Sequence, residues 1–281
     1  LKAEQPNCTI DVVAPGWSEP ILARMAEVQH PVVLDVGHGE WGWKKRLQLG
    51  KALRGRYTHS IVIPRSLKSS LLPFFAEVPE RIGYRGEMRY GLINDMRMLD
   101  KQRLPLAVER FVALGCPISL DKPEIRQPQL QVDTDNQRQL LASLQLNTDK
   151  PVVALLPGAE FGPAKQWPAT HYAELAKQKI ADGWSVWIFG SVKDQFISEQ
   201  INQLADHGCK DFSGKTSLAE AIDLMSLAEV VVSNDSGLMH VAAALNKKIV
   251  AIYGSSDPRF TPPLNATAKV LNLNLDCAPC F

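Results

Sequence analysis

The chain has 281 residues, 45% of them hydrophobic, and a formal net charge of +1. This length and apolar content exceed one ordinary domain, so two hydrophobic cores are expected. No run approaches the eighteen or so consecutive apolar residues that a membrane-spanning helix needs, and no signal segment opens the sequence. These features argue against an integral membrane protein or a secreted one, and they predict a soluble, cytoplasmic protein.

Charge is distributed unevenly along the chain. Residues 1–127 hold 19 Lys and Arg against 14 Asp and Glu, about +5, and the remainder holds 12 against 16, about −4. This asymmetry fits a first half that handles an anionic partner, for which we do not expect a nucleic acid. An ordinary solvated surface is the alternative.

The cysteines do not indicate a disulfide framework. There are five, an odd number, and only Cys277 and Cys280 lie close together. Two thiols make half a zinc site, so we expect free thiols, no bound metal and a reducing cytoplasmic environment.

Short β-branched runs alternate with longer amphipathic segments, which indicates βαβ units and a mainly parallel sheet. In the first half, strands are predicted over residues 9–14, 32–36 and 60–64, with a helix over 43–56. In the second half, strands are predicted over 152–156, 185–189, 229–233 and 249–253. Helices are predicted there over 169–181, 194–205, 217–228 and 238–245.

A polar, proline-containing stretch separates the two halves. We therefore predict an α/β protein with two Rossmann-like domains in series, over residues 1–127 and 151–281, joined by a linker over 128–150. The sequence begins at Leu1 without a Met and stops just after a Cys-x-x-Cys, so we expect it to be incomplete at both ends. Because ligands bind beyond the carboxyl ends of strands in open α/β sheets, chemistry is expected in the loops after the second-half strands.

One glycine-rich segment matches the dinucleotide fingerprint only in part. Residues 37–42 have the spacing G-x-G-x-x-G, but Trp41 would crowd the backbone, and residues 56–65 offer no carboxylate for the ribose. We do not expect a dinucleotide site there.

A second segment, residues 208–216, resembles a P-loop but has five residues between its glycines where the loop geometry needs four. We interpret it as a short strand and turn before a helix capped by Thr216 or Ser217. Glu220 is placed to complete a capping box.

The loop predicted after the strand over 152–156 carries the first candidate site. Its sequence, over residues 157–168, is PGAEFGPAKQWP. Gly158 and Gly162 let the backbone approach a ligand closely, and Lys165 supplies a compact cation. A flexible loop, a lysine and a helix N-terminus can together bind phosphate, with a plain loop and surface lysine as the alternative.

The second candidate site follows the strand predicted over 229–233. The sequence SNDSGLMH, over residues 233–240, indicates the end of a buried strand, a turn and the start of a helix. Asp235 would project from the strand end, and the amides of Gly237 and Leu238 would face outward, where the helix dipole favours an anion. A plain helix cap is the alternative. A nucleotide-sugar needs donors for its diphosphate and a carboxylate for its hydroxyls, and the two motifs supply both.

Three segments of the second half resemble donor-side signatures of the family 9 glycosyltransferases, the bacterial heptosyltransferases. They are Lys-x-Trp-Pro at 165–168, the segment 233–240, and Tyr-Gly-Ser-Ser-Asp-Pro at 253–258. Residues 85–95, 157–165 and 261–263 are similar to the members that add the second heptose. The resemblance covers essentially the whole chain and implies the two-domain GT-B architecture.

The resemblance implies inverting transfer of L-glycero-D-manno-heptose from ADP-heptose to the first heptose of the lipopolysaccharide inner core, without a metal or other cofactor. It implies that Lys165 neutralises the departing diphosphate, where negative charge develops. Asp235 would hold heptose hydroxyls, and the amides of Gly237 and Leu238 would bind phosphate. The other donor-binding residues implied by the resemblance are Gly158, Glu160, Asp194 at the ribose, Thr216 beside adenine, Ser236 and His240.

On the acceptor side, the resemblance implies heptosyl-Kdo2-lipid A, a phosphorylated and carboxylated lipid, presented at the inner face of the cytoplasmic membrane. The acceptor-binding residues expected from it are Arg65, Lys68, Arg85 and Arg89. Lys44, Lys45 and Arg46 are further cations of that domain, and a solvated surface charge is the alternative for each of the seven.

One residue of the family pattern has no counterpart here. The general base of the family is an Asp in a glycine-rich loop after the first strand, and we expect that strand to precede Leu1. Asp35 and Glu40 match no such motif, and we interpret both as structural. We therefore expect this polypeptide to bind donor and to turn over poorly.

Two other functions stay open from the sequence. One is a family 9 enzyme that transfers a different sugar, and the other is a non-catalytic nucleotide-binding module. A strand followed by a Gly-Asp loop in the upstream coding sequence would favour the enzyme.

Overall fold

The computed structural model describes residues 1–37, 39–119, 121–160 and 162–279. The chain divides into two compact units. Unit 1 comprises Leu1–Ala23 and Glu27–Arg126, and unit 2 comprises Arg24–Ala26 and Gln127–Phe281. Every pair of neighbouring strands among the described residues is parallel, as the βαβ pattern predicts.

Unit 1 contains two parallel sheets. Strands β1 (Asp11–Ala14) and β2 (His30–Val33) form one, and β3 (His59–Val62), β4 (Glu80–Tyr84) and β5 (Asp95–Arg97) form the other. The helices are α1 (Glu19–Leu22), α2 (Trp43–Ala52), α3 (Leu67–Phe75) and α4 (Ala107–Gly115). Apolar side chains such as Leu53, Val78, Ile82 and Leu114 form the buried clusters of the unit.

The strand predicted over residues 32–36 lies earlier in the chain, at His30–Val33. Leu34 N–H still donates to the Ala14 carbonyl at 2.9 Å, and Val36 N–H then donates to the Leu34 carbonyl at 2.9 Å. This three-residue turn takes the chain out of the sheet and ends the strand. The other predicted elements of this half overlap β1, α2 and β3.

Unit 2 is built on a six-stranded parallel sheet in the order β11-β10-β9-β6-β7-β8. The strands are β6 (Val152–Leu156), β7 (Ser185–Ile188), β8 (Lys210–Asp211), β9 (Val230–Asn234), β10 (Lys248–Tyr253) and β11 (Lys269–Asn272). The helices are α5 (Thr134–Ser143), α6 (Ala169–Ala181), α7 (Gln195–Leu204), α8 (Leu218–Met225) and α9 (Gly237–Ala244). The predicted elements of this half are confirmed with small shifts at their ends, because the buried strands give a strong apolar signal.

The order of strands in unit 2 creates a crevice at the centre of the sheet. β6 is the first strand of the unit and lies between β9 and β7. The chain continues from β6 to β7 on one side and later returns to β9 on the other. At such a switch point the loops that leave the neighbouring carboxyl ends diverge, and ligands bind between them.

A buried carboxylate joins Arg24–Ala26 to the rest of unit 2. Asp223 of α8 is fully buried and pairs with Arg24 at 2.6 Å. It also accepts hydrogen bonds from Asp133 N–H at 3.0 Å and from Asn136 Nδ2 at 2.7 Å. These contacts hold the start of α5, a helix within the predicted linker, against α8.

We expect Asp223→Ala to lower the free energy of unfolding by about 3–5 kcal/mol, because it removes the carboxylate from a largely buried guanidinium. Asp135→Ala is the matched control, since its pair with Arg138 is exposed and should contribute less than about 1 kcal/mol. Urea unfolding monitored by circular dichroism measures both. Similar losses in the two variants would contradict the role of Asp223.

Candidate functional site

Loops lie along the carboxyl edge of the unit 2 sheet. They follow β10, β9, β6, β7 and β8, in the order of those strands. The two segments singled out in the sequence, residues 157–168 and 233–240, begin at the ends of β6 and β9, on the two sides of the switch point. The structure therefore brings both candidate motifs to one crevice.

Lys165 and Asp235 form an ion pair across this crevice. Lys165 Nζ lies 2.7 Å from Asp235 Oδ2, and the two side chains are only 16% and 9% exposed. Water screens such a pair less than it screens a surface pair. Asp235 Oδ1 accepts none of the hydrogen bonds found among the described residues, so it can accept one from a ligand.

Asn234, the last residue of β9, is a site residue that the sequence analysis missed. It is fully buried, and its Nδ2 donates to the Pro157 carbonyl at 2.7 Å. Its Oδ1 accepts hydrogen bonds from Trp167 N–H at 2.9 Å and from the Tyr172 hydroxyl at 3.1 Å. Its position at the end of a buried strand, directly before Asp235, is the signal that could have identified it.

The N-terminus of α9 faces the crevice. Ser236 is its N-cap, and Ser236 Oγ accepts a hydrogen bond from Met239 N–H at 3.4 Å. The amides of Gly237 and Leu238, in the first turn, have no acceptor within the helix. A Cβ at Gly237 would meet nothing within 4 Å, so there is open space beside this residue at the positive end of the helix dipole.

His240 and Tyr253 lie close to Asp235. The surrounding protein lowers the pKa of His240 by desolvation, and the Asp235 carboxylate partly opposes this, although much of the residue surface remains exposed. Burial raises the pKa of Tyr253, whose hydroxyl donates to the Thr261 carbonyl at 2.7 Å. At neutral pH neither side chain adds charge to that of Lys165.

Gly158 and Asp194 are in close contact. A Cβ at Gly158 would lie 2.7 Å from Asp194 Oδ2, so any larger residue there would displace the Asp194 carboxylate. The same Oδ2 accepts hydrogen bonds from Ser191 N–H at 2.8 Å and Ser191 Oγ at 2.7 Å. Glu160 is more exposed than either and pairs with Lys193 at 2.6 Å.

Thr216 lies in the loop after β8, beside the loop after β7. Gly214 N–H donates to the Gly190 carbonyl at 2.9 Å, which joins these two loops. Ser217, rather than Thr216, caps α8 and exchanges the two hydrogen bonds of a capping box with Glu220 at 3.2 and 2.7 Å. The predicted capping box is therefore confirmed, and Thr216 stands just outside the helix.

Unit 1 contains a basic cleft with a volume of about 300 Å³. Its lining residues are Arg65, Arg85, Gly86, Met98, Leu99 and Lys101. Arg65 Nε donates to the Arg85 carbonyl at 3.2 Å, which holds these two predicted acceptor-binding residues together. Lys101 was not predicted, because it is a lone lysine without a motif. Lys68 does not line the cleft, and its Nζ donates to the Glu40 carbonyl at 3.2 Å.

Arg89 and Arg46 do not lie where the sequence analysis expected them. Arg89 is fully buried, and its guanidinium donates to the Pro64 carbonyl at 2.7 Å and to the Tyr84 carbonyl. Arg46 is 8% exposed, and its Nε donates to the Trp41 carbonyl at 2.9 Å. Both guanidinium groups hold backbone in place. Their geometry therefore does not support the predicted contact with an acceptor at the surface.

The two carboxylates that the sequence analysis treated as structural have partners within unit 1. Lys45 donates to Asp35 Oδ2 at 2.8 Å, and this hydrogen bond lowers the pKa of Asp35. Glu40 Oε2 accepts a hydrogen bond from Gly37 N–H at 3.1 Å. Lys44, at the start of α2, is exposed.

Within the described ranges, no group of three or more His, Cys, Asp and Glu side chains is arranged to hold a metal ion. Cys277 is an exposed free thiol. Cys280, the second cysteine of the Cys-x-x-Cys, lies outside the described residues. His38 of the glycine-rich segment also lies outside them. No described helix is both long and apolar enough to span a membrane.

Comparison with known proteins identifies relatives over most of the chain. The glycosyltransferase family 9 (heptosyltransferase) domain matches residues 46–281. Lipopolysaccharide heptosyltransferase 2 of Salmonella typhimurium is 46% identical over 284 residues, which cover 97% of this chain and 82% of that protein. Lipooligosaccharide heptosyltransferase 2 of Haemophilus influenzae is 44% identical, with the same shares covered.

Solved structures show the same fold. The Escherichia coli ADP-heptose lps heptosyltransferase II superposes with a TM-score of 0.84 and 42% identity, covering 99% of this chain and 88% of that one. The Escherichia coli heptosyltransferase WaaC with ADP gives a TM-score of 0.71 at 23% identity, covering 96% and 85%. The α/β fold with parallel sheets is thus that of the GT-B heptosyltransferases.

Proposed function

The chain belongs to glycosyltransferase family 9, the heptosyltransferases, and we propose that it transfers L-glycero-D-manno-heptose from ADP-heptose to the first heptose of the lipopolysaccharide inner core. The observation that carries this proposal is the Lys165–Asp235 pair beside the N-terminus of α9. Close identity to heptosyltransferases 2 supports the choice of sugar and acceptor over another member of the family. Membership in a family of transferases likewise favours an enzyme over a binding module.

The cationic side of the crevice suits a departing diphosphate. Inverting transfer breaks the bond between the anomeric carbon and the diphosphate, so negative charge grows on the leaving oxygen. Lys165 is held in place by its contact with Asp235, and fixed donors that face developing charge stabilise the transition state. We assign Lys165 to that oxygen, and the amides of Gly237 and Leu238 to the phosphate groups.

The other loops provide acceptors for the sugar and nucleoside. Asp235 uses Oδ2 to hold Lys165, and Oδ1 is available for a heptose hydroxyl. Asp194 uses Oδ2 to cap its own turn, which leaves Oδ1 for the ribose. Thr216 follows on the next loop, beside the adenine. The segment after β9 then takes heptose and phosphate, and the loops after β6, β7 and β8 take diphosphate, ribose and adenine, in the order of the strands.

We assign the acceptor, heptosyl-Kdo2-lipid A, to the basic cleft of unit 1. Its carboxylates and phosphates match the cations of Arg65, Arg85 and Lys101. Near these cations Met88 and Met98 are 83% and 68% exposed. Exposed apolar side chains among cations suit the surface of an anionic bilayer, so we place the protein at the inner face of the cytoplasmic membrane.

ADP, and ADP-heptose, should bind more tightly than UDP, and Lys165→Ala should weaken ADP binding at least about tenfold, because a charged phosphate contact contributes roughly 1.5–3 kcal/mol. Isothermal titration calorimetry measures these affinities. Lys177→Ala is the matched control, since Lys177 pairs with Asp206 at the surface. Equal affinity for ADP and UDP, or no binding by folded protein, would refute the donor assignment.

Arg65→Ala should raise the KM for the acceptor about fivefold or more and leave ADP affinity unchanged, because the guanidinium makes two-point contacts with carboxylate or phosphate. Added salt should raise the same KM, since partly exposed charges are screened over about 8–10 Å. Arg54→Ala is the control, as Arg54 pairs with Glu77 in an exposed contact. Steady-state kinetics at two salt concentrations, with the protein expressed from its complete gene, measure the effect. A KM that responds neither to Arg65→Ala nor to salt would remove the cleft from acceptor binding.

A further inference from the structure

We propose that Asn234 is a positioning residue for donor binding. Its carboxamide clamps both ends of the loop 157–167 and so holds Lys165 opposite Asp235. The proposal rests on the assigned role of Lys165 at the diphosphate, and it identifies what places that lysine.

The hydrogen bonds of Asn234 require an amide. Nδ2 donates to the Pro157 carbonyl at 2.7 Å, at the beginning of the loop. Oδ1 accepts from Trp167 N–H at 2.9 Å, at its end. An aspartate could accept but not donate, and a leucine could do neither, so only a side chain with both groups closes the loop. Because Asn234 is fully buried, water cannot replace these bonds at low cost.

The loop needs such a clamp because its sequence permits many conformations. It contains Gly158 and Gly162, and Gly162 has a φ of +105°, which L side chains rarely adopt. Lys165 N–H donates to the Gly162 carbonyl at 3.3 Å in a single turn. Fixing Trp167, two residues after Lys165, therefore limits where the ammonium can lie.

A rigid support stands behind the clamp. The Tyr172 hydroxyl donates to Asn234 Oδ1 at 3.1 Å, and the rings of Trp167 and Tyr172 pack edge to face with centroids 4.8 Å apart. Tyr172 belongs to α6 and is fully buried. The carboxamide, the indole and the phenol thus join the end of β9 to the start of α6.

Two neighbouring residues of one strand end perform both tasks. Asn234 binds the ends of the loop, and Asp235 binds the lysine that the loop carries. Because successive side chains of a strand point to opposite sides, the first can be buried in the unit while the second faces the crevice. The clamp therefore acts on ADP through Lys165 and needs no contact with ADP.

A double-mutant cycle with ADP as the probe tests this dependence. Asn234→Ala should weaken ADP binding about fivefold or more, and should weaken it no further in the Lys165→Ala background, because both changes remove the same contact. Asn234→Asp, which keeps the size but loses the donor, should behave similarly. Asn265→Ala is the matched control: Asn265 also binds backbone, at the Lys247 carbonyl and Thr267 N–H, and should leave ADP affinity unchanged.

Hydrogen exchange of the Trp167 amide tests the role of Asn234 independently of whether the site binds ADP. Exchange should be about tenfold faster or more in Asn234→Ala and unchanged in Asn265→Ala, because a lost hydrogen bond exposes that amide. Wild-type protein that fails to bind ADP would refute the proposed function. The exchange rate of the Trp167 amide would still test whether Asn234 holds the loop. Independent, multiplying losses in the double-mutant cycle, or unchanged Trp167 exchange in folded Asn234→Ala, would overturn the proposal. If Asn234→Ala does not fold, Asn234→Leu, which can neither accept from Trp167 N–H nor donate to the Pro157 carbonyl, decides by the same two measurements.

Discussion

The ion pair between Lys165 and Asp235 is the contact on which the site depends. The two residues are 70 positions apart in the chain, and both are largely removed from water. An unpaired charge in that environment costs several kcal/mol, so each residue stabilises the other only if their loops stay in register. The parallel sheet brings the loops after β6 and β9 to the same crevice. The hydrogen bonds of Asn234 then restrict the conformations of the loop after β6.

The basic character of the first half serves two different purposes in unit 1. Arg46 and Arg89 are buried and bind backbone carbonyls, so their charges are used inside the unit. Arg65, Arg85 and Lys101 line a cleft that is open to a ligand. The net charge of a segment therefore overstates the number of cations that an acceptor can contact. Which cations face the acceptor depends on which of them are already bound to backbone carbonyls inside the unit.

The fold of unit 2 could be predicted closely from the sequence because its strands are short apolar runs buried on both faces. Unit 1 was predicted less well, since Leu34 and Val36 continue the apolar pattern of β2 but lie in a turn. The sequence pattern indicates which side chains are apolar. It does not indicate where the backbone leaves the sheet and begins to form hydrogen bonds within a turn.

For the site, Lys165 and Asp235 could be assigned from the sequence to the loops that follow two buried strands, because strand ends and motifs are local features. It gave Arg89 an exposed role, since an arginine bound to carbonyls and one that faces solvent have the same sequence signal. Asn234 was missed because its partners, Pro157 and Trp167, lie far away in the chain and meet it only in the folded unit. Long-range polar contacts are thus the part of the site that required the structure.

The central claim is that the crevice between the loops after β6 and β9 binds the diphosphate of the donor. A crystal structure of the protein with ADP tests it most directly. Diphosphate oxygens should lie within hydrogen-bonding distance of Lys165 Nζ and of the amides of Gly237 and Leu238, with Asn234 still bound to Pro157 and Trp167. ADP bound at another edge of unit 2, or in this crevice without contact to Lys165, would contradict it.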